Sequence, residues 1–293
     1  MANLKEIRNR ISTVKNTQQV TKAMKMVAAA KLRRAQDRIL QLRPYSAKMK
    51  EIIGNVVAAL NVEDIPSKLV VERPIKNVLV VMVTSNRGLC GPFNSNLFKV
   101  VNQFLQDNHG DLLASGNVHA LCVGRKGYDY FSKRGIHVTD GKNYDVLTDL
   151  TFETVNTVTD RVFEGFLGGE WDKVYLVFNE FKNVMTQNRI VESFLPLAIE
   201  KDLNAKTTAD YIFEPNREEI LLDLIPKSLR LRMFRGVLDS NASEQGARMV
   251  AMDQATENAN TLLKDLKLSY NKARQAAITK EILEIAAGAD ALN

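Results

Sequence analysis

The 293-residue sequence lacks the features that assign a chain to several common classes of protein. No run of about 18 uninterrupted apolar residues occurs, so the sequence predicts no membrane-spanning helix. The N-terminal residues contain no apolar core of a secretory signal, and we expect no leader there. Only two cysteines occur, Cys90 and Cys122, without metal-binding spacing around them. This usage is typical of free, buried thiols in a reducing compartment.

Aromatic residues are nearly absent from both ends of the chain. Only Tyr45 lies in residues 1–50 and only Tyr270 lies in residues 244–293. Large aromatic side chains dominate compact cores, so we expect the core in the middle, between two elongated ends. Charge is uneven as well, because residues 1–50 carry 13 Lys and Arg against two acidic residues, whereas the rest of the chain is net acidic.

The first 43 residues contain neither proline nor glycine, and good helix formers dominate them. Apolar residues follow the 3–4 spacing of a coiled-coil seam, slip at residues 17–19 and then resume: Leu4, Ile7, Ile11, Val14, then Val20, Met24, Val27, Leu32, Ala35, Ile39 and Leu42. We therefore predict one helix of about 40 residues, which Pro44 should kink or end. The apolar stretch Met49–Leu60 could continue it.

The C-terminal segment has a similar pattern, with no proline after Pro226 and no glycine between Gly246 and Gly288. Its seam keeps alternating 4–3 spacing: Ala255, Ala259, Leu262, Leu266, Ser269, Ala273, Ala276, Lys280, Leu283 and Ala287. This pattern predicts a second helix of about 45 residues, with Gly288 as its C-terminal cap. Two seams in one chain pair most economically with each other, as an antiparallel coiled coil.

The middle of the chain alternates predicted strands and helices. The strands are Lys76–Ser85, Val118–Val123 and Lys173–Phe178, with an extended segment at Arg189–Leu197; the helices are Phe93–Asp107, Lys126–Arg134, Phe152–Leu167 and Glu214–Leu224. This order predicts an α/β fold with a mainly parallel, open sheet of Rossmann-like type. We assign three domains: an N-terminal shaft helix at 1–60, a Rossmann-like α/β domain at 68–210, and a C-terminal shaft helix at 211–293.

Motifs of nucleotide, metal and hydrolytic chemistry are missing. The sequence contains no GxGxxG after a strand, no GxxxxGK[ST], no GxSxG and no HExxH. The three histidines have no second ligand at metal-binding spacing, and Cys90 has no evident histidine partner. We therefore predict no catalytic, cofactor-binding or metal-binding residue. The turn Ser85–Gly91 could let its backbone and Arg87 approach a phosphate, but a tight strand-to-helix turn explains its glycines equally well.

The basic N-terminal helix raises the alternatives of nucleic-acid or membrane binding. Its charges are spread around the helix, and no aromatic residue lies among them for base stacking. It also lacks the Trp- and Phe-rich face of an interfacial membrane anchor. A solvated coiled-coil surface and an acidic protein partner that encloses the helix both remain open.

Three segments carry a resemblance to a known family: Ile11–Lys31, Ser243–Asn258 and Tyr270–Leu292. Together with the Ser85–Gly91 turn, they resemble the gamma subunit of the F-type rotary ATP synthase. The resemblance covers both ends and the whole domain order. That family's turn usually reads Ser-Asp-Arg-Gly-Leu-Cys-Gly-Gly, whereas this chain has Asn86 and Pro92 at two of those positions.

The resemblance implies a non-catalytic rotor without cofactor. The terminal helices would form the shaft inside a hexamer of alpha and beta subunits, with the middle domain against the epsilon subunit and the membrane c-ring. Proton flow would turn the ring and the shaft together, which drives ATP synthesis or hydrolysis in the beta subunits. The implied location is peripheral, on the cytoplasmic face of a bacterial plasma membrane, without nucleic acid as a partner.

The resemblance also implies eight contacts with the beta subunit. Arg274 and Gln275 match positions that hydrogen-bond a loop of the empty beta subunit. Three residues would lie in the upper shaft near the collar: Thr279, Glu281 and Glu284. Arg87 matches an arginine that pairs with a beta carboxylate, and Met24 and Lys25 lie where the shaft passes an acidic segment of beta.

Two other functions stay open from the residues alone. One is a nucleotide-binding α/β enzyme with a coiled-coil dimerisation stalk, and the missing phosphate fingerprint weighs against it. The other is a coiled-coil nucleic-acid adaptor, and the missing aromatic residues in the basic helix weigh against it.

Overall fold

The computed structural model describes residues 4–58, 67–139, 143–198, 214 and 216–290. In chain order its elements are α1 (Leu4–Ala58), β1 (Val78–Val83), α2 (Phe93–Ala114), β2 (Val118–Val123), α3 (Arg125–Ser132), β3 (His137–Thr139), a short 3-10 helix (Asn143–Leu147), α4 (Phe152–Gly168), β4 (Lys173–Phe181), β5 (Gln187–Leu195) and α5 (Arg217–Asp290). Two compact units result: the α/β unit, Ala30–Ala247, and the terminal unit, which joins the described residues up to Ala29 with those from Arg248 onward.

The five strands form one sheet in the order β3-β2-β1-β4-β5. The first four are parallel, and β5 pairs antiparallel with β4. The predicted mainly parallel open sheet is therefore confirmed, and the extended segment near Arg189 is its antiparallel edge. Strand β3 was not predicted, because three residues are too few to show a periodic pattern.

Helices cover both faces of this sheet with apolar side chains. On one face, α4 and the first part of α5 pack on β1 and β4, and α5 contributes the fully buried Ile225, Leu229 and Met233. On the other face, α2 contributes Leu97 and Val101. Burial on both faces explains why β1 reads as a continuous apolar run instead of alternating.

Prolines do not end the long helices, so of the two outcomes predicted for Pro44, a kink or an end, the end is excluded. Helix α1 continues through Pro44 to Ala58, and α5 continues through Pro226. Val56 lies beyond the first proline and is buried in the sheet core. An internal proline costs about 3 kcal/mol, a cost that burial of a few apolar side chains on each side can offset. Residues Ala59 and Leu60 of the predicted continuation lie outside the described residues.

Helix α5 differs from the prediction at both ends. It is a single helix of 74 residues instead of a short helix followed by one of about 45. Gly288 lies within it, so the prediction that this glycine caps the helix was wrong. At the start, the side-chain oxygen of Asn216 accepts a bond from the Glu219 amide at 2.8 Å, a capping interaction that fixes the first turn. The division into domains at 1–60, 68–210 and 211–293 stays a prediction.

Candidate functional site

Three polar pairs cross the interface between α1 and α5 in the terminal unit. They are Gln18 with Asn260, Thr21 with Thr256, and Lys25 with Asp253. The two hydroxyl oxygens of the threonines lie 2.8 Å apart, and Lys25 Nζ lies 2.5 Å from Asp253 Oδ1. Because the α5 numbers fall as the α1 numbers rise, the two helices run antiparallel. The predicted antiparallel coiled coil is confirmed.

The seam of α1 keeps its 3–4 spacing without the predicted slip. It passes from Val14 through Gln18, Thr21 and Lys25 to the buried Ala28. The predicted seam residues Val20 and Val27 instead face outward, and Val20 is 57% exposed. The prediction was wrong because it followed apolar residues only, whereas paired polar side chains occupy the seam here. An unbroken heptad count from Leu4 would have found them.

The seam of α5 also differs from the prediction. Ala259 and Leu266 are buried as expected, whereas the predicted Leu262 is exposed and Leu263 lies toward the interface in its place. The predicted positions Ser269, Ala276, Lys280, Leu283 and Ala287 are exposed as well. Helix α5 is rich in alanine and polar residues, so its sequence is compatible with two seams that differ by one residue, such as one through Leu262 and one through Leu263. The spacing of apolar residues alone does not show which of the two faces α1.

Seven of the eight predicted contact residues lie in the terminal unit, and the structure leaves most of them on its surface. Arg274, Gln275 and Glu281 are exposed. Thr279 donates its hydroxyl to the Gln275 carbonyl at 3.0 Å, and Glu284 pairs with Lys280 at 3.4 Å. Both of these contacts are local, within one turn of α5. The other two, Met24 and Lys25, are half-buried.

The eighth residue, Arg87, lies in the α/β unit, in the turn after β1. Ser85 and Asn94 hold this turn: the Ser85 hydroxyl donates to the Arg87 carbonyl at 2.8 Å, and the Asn94 amide donates to Ser85 Oγ at 2.8 Å. Cys90 is buried beneath it, and Asn86 accepts a bond from the Arg125 amide at 3.1 Å. These bonds fix the backbone while the side chain of Arg87 stays exposed.

Leu89, in the same turn, was not singled out from the sequence. Its φ of 65° is in the left-handed region, which a residue with a Cβ enters at a cost of about 1–2 kcal/mol. Its side chain is 65% exposed. The turn therefore holds Leu89 in a strained backbone conformation while its side chain lies at the surface. A strand-to-helix turn in sequence does not reveal this, because φ is set by the surrounding bonds.

Helix α5 covers the place where an open sheet of this order binds nucleotide. That place is the crevice at the carboxyl ends of the strands, where the strand order reverses between β1 and β4. Here Ala247 packs on Cys90 and Phe93 after β1, and a Cβ on Gly246 would lie 3.5 Å from the ring of Phe181 at the end of β4. The last helix of the α/β unit therefore lies across the crevice.

Arginines of α5 hold the helix in this position. Arg230 binds Asp160 of α4 at 2.8 Å, and Arg232 binds Glu192 of β5 at 2.9 Å. Farther along α5, Asp239 is buried next to Arg235, and burial raises its pKa to about 6. Carboxylates of two different elements thus fix α5 against the sheet.

Within the described ranges, the titratable groups form no reactive centre. Burial raises the pKa of the Cys122 thiol to about 12, so it is not a thiolate at neutral pH. No group of three or more His, Cys, Asp and Glu side chains among the described residues could hold a metal ion. None of the described helices is long and apolar enough to span a bilayer.

Comparison with known proteins gives matches over the full length. A family model described as ATP synthase matches residues 3–292. The ATP synthase gamma chain of Flavobacterium johnsoniae is 51% identical over 293 residues, and that of Chloroherpeton thalassium is 49% identical over 302. These alignments cover 100% of this chain and 100% and 99% of the relatives. The chain belongs to the ATP synthase gamma chain family.

Solved structures of ATP synthases contain chains with a similar fold. A chain of the Euglena gracilis mitochondrial ATP synthase in rotational state 3 superposes with a TM-score of 0.66, at 22% identity, over 99% of this chain and 94% of that one. A chain from the central stalk and c-ring of the Tetrahymena thermophila mitochondrial ATP synthase gives 0.55 at 27% identity, over 80% and 99%. The resemblance read from the terminal segments is confirmed.

Proposed function

We propose that the chain is the central rotor shaft of a proton-translocating F-type ATP synthase, a non-catalytic subunit that couples ring rotation to the beta subunits. The observation that carries this proposal is the match of about half of all residues, over the whole length, to bacterial ATP synthase gamma chains. The antiparallel pairing of α1 and α5 supports it, because a shaft requires two helices held in register.

The surface of the terminal unit suits a rotor. A shaft that turns inside three equivalent partners must bind each of them about equally, since a strong fixed contact would trap one angle. Exposed apolar residues such as Val20 and Val27 and exposed polar residues such as Arg274 supply a mixed surface of this kind. Their exposure also leaves apolar area for a partner to cover.

The rival function, a nucleotide-binding enzyme with a dimerisation stalk, loses support from the α/β unit. Gly246 and Ala247 of α5 lie across the crevice that would receive the nucleotide. A rotor instead needs no nucleotide crevice, and Arg230 and Arg232 of α5 pair with Asp160 and Glu192 within the α/β unit.

The partners follow from this assignment. The terminal unit would contact the alpha and beta hexamer, and the α/β unit would contact the c-ring and the epsilon subunit. The chain would therefore be peripheral to the bacterial plasma membrane, on its cytoplasmic face, and held there by its partners.

Purification from native membranes tests the proposal. A tagged copy of the chain should co-purify with a hexameric ATPase and its membrane ring. In a separate test, calorimetry on the isolated chain should show no more than weak ATP binding. Micromolar ATP binding by the isolated chain, without an associated hexamer, would contradict the rotor and favour the enzyme.

We further propose that the eight contact residues meet the beta subunits. Arg274 and Gln275 would act as a catch, by which we mean a pair of side chains whose hydrogen bonds to a beta subunit form and break at each rotation step. Adjacent helical residues point about 100° apart, so both side chains can reach one enclosing loop. Arginine supplies several donors, and the glutamine amide both donates and accepts. Such bonds would form at one rotor angle for each partner and break at the next step.

Replacement of both residues by alanine tests the catch. Alanine is a good helix former, so the R274A/Q275A complex should assemble, with reduced turnover and weaker coupling of rotation to ATP synthesis. A matched control replaces Lys264 and Asp265, an exposed pair on the same helix. Wild-type turnover and coupling in R274A/Q275A would contradict the proposed contact of these two residues with the beta subunits. Failure of the complex to assemble would also contradict it, because the pair would then serve stability.

A further inference from the structure

Two histidines face each other at the edge of the sheet, and neither is one of the eight residues proposed to meet the beta subunits. His119 in β2 and His137 in β3 are register partners on parallel strands. Their Nδ1 atoms lie 3.3 Å apart, and their rings meet edge to face with centroids 5.3 Å apart. They lie near the start of β2, whereas the Ser85–Gly91 turn lies at the carboxyl end of β1.

We propose that His119 and His137 form a two-histidine site for a divalent transition metal ion such as Zn²⁺. Zinc binds imidazole nitrogen at about 2.0–2.1 Å in tetrahedral geometry, which places two nitrogen ligands about 3.3–3.4 Å apart. The observed separation of the two Nδ1 atoms, 3.3 Å, matches this value, so one ion can lie within bonding distance of both nitrogens. Water completes the coordination sphere.

A carboxylate acts on the pair. Glu170 interacts electrostatically with His119 and would attract a cation to the two imidazoles. Arg161 binds that carboxylate at 2.8 Å, which holds Glu170 in place and offsets part of its charge.

The position of the site suggests what a bound ion would do. Strand β3 has only three residues, and its single described neighbour in the sheet is β2. A metal ion shared by His119 and His137 would cross-link the two strands through their side chains. The ion would therefore stabilise this edge of the α/β unit.

Calorimetry with ZnCl₂ on the full-length chain, without a polyhistidine tag, tests the site. The variants are H119Q and H137Q, and H109Q is the matched control because His109 instead contacts the Tyr175 hydroxyl at 2.9 Å. Wild type and H109Q should bind one equivalent of zinc with the same affinity, and H119Q and H137Q should each bind at least about tenfold more weakly. Equal binding by all four proteins, or no wild-type binding at millimolar zinc, would overturn the proposal.

Thermal unfolding distinguishes loss of zinc binding from a folding defect in the variants. A ligand that binds the folded state raises the midpoint of unfolding by mass action. Zinc should raise the midpoint of wild type and H109Q, and should not raise that of folded H119Q or H137Q. If zinc raises all four midpoints equally, the ion binds elsewhere and the site is wrong.

Discussion

The two units use the same two helices but join them by different means. In the α/β unit, apolar residues of α1 pack on apolar residues of α5: Leu32, Ala35 and Ile39 against Leu238 and Ala242. In the terminal unit, three polar pairs cross the interface beside buried residues such as Ala28 and Ala259, while Val20 faces outward. Apolar burial supplies most of the stability of a fold, whereas a hydrogen-bonded pair adds about 1 kcal/mol but fixes register.

This difference shows that one pair of helices can be joined in two ways. The α/β unit joins them by extensive apolar burial. The terminal unit fixes the register of α1 on α5 with polar pairs and exposes apolar side chains such as Val20. Apolar burial supplies stability, whereas paired polar side chains fix the register.

Truncation in the apolar interface should give the largest loss of stability. Leu32 is 5% exposed and Leu40, on the same helix and in the same unit, is 59% exposed. Leu32→Ala should lower the free energy of unfolding by about 2–5 kcal/mol, because it leaves a cavity. Leu40→Ala should change it by less than about 0.5 kcal/mol. Urea unfolding followed by circular dichroism measures both, and equal losses would show that Leu32 is not a core residue.

A methyl group added inside the α/β unit should have the next largest effect. A Cβ on Gly165 would overlap the indole ring of the buried Trp171, so Gly165→Ala should cost about 1–3 kcal/mol through overpacking. Gly168, in the same helix, has no atom within 4 Å of such a Cβ and serves as the control. Trp171 is the only tryptophan in the chain, so its fluorescence should shift in the first variant alone. An unshifted spectrum in Gly165→Ala would show that the ring has room to move.

Removal of a polar pair from the terminal unit should have the smallest effect. Thr21→Val or Thr256→Val alone leaves the other hydroxyl without its cross-helix partner and should cost about 1 kcal/mol. The double variant should recover part of this loss, with a coupling free energy of about 0.5–1 kcal/mol in a double-mutant cycle. Denaturant unfolding of the four proteins provides the values. Strictly additive losses would mean that the two hydroxyls do not interact.

The sequence predicted the architecture of the α/β unit well because local patterns determine it. Strand β2 was predicted to the residue, and β1 and β4 to within a few residues, since buried parallel strands read as unbroken apolar runs. Strand β3 was missed because it is short and its pairing with β2 is not local. The long run of α5 through Pro226 was missed because core burial of Ile225 and Leu229 outweighs the local penalty.

The candidate site was less accessible to sequence reasoning. The family resemblance named eight residues, and the structure shows where each lies without showing what it touches in a partner. The polar residues of the seam were not predicted, because apolar spacing favoured Val20 and Leu262 as seam positions. Pairs such as Thr21 with Thr256 become evident only when both helices are seen together. The strained turn at Leu89 depends on tertiary bonds from Ser85 and Asn94.

Observation of rotation tests the central claim most directly. Met185 is 78% exposed, whereas both native cysteines are buried, so M185C offers a single reactive thiol for a bead on the α/β unit. The chain is assembled with the alpha and beta subunits proposed as its partners, and the hexamer that these subunits form is fixed to a surface. With ATP, the bead should turn stepwise in one direction. A bead that stays still while the same complexes hydrolyse ATP would contradict the assignment of this chain as the rotor.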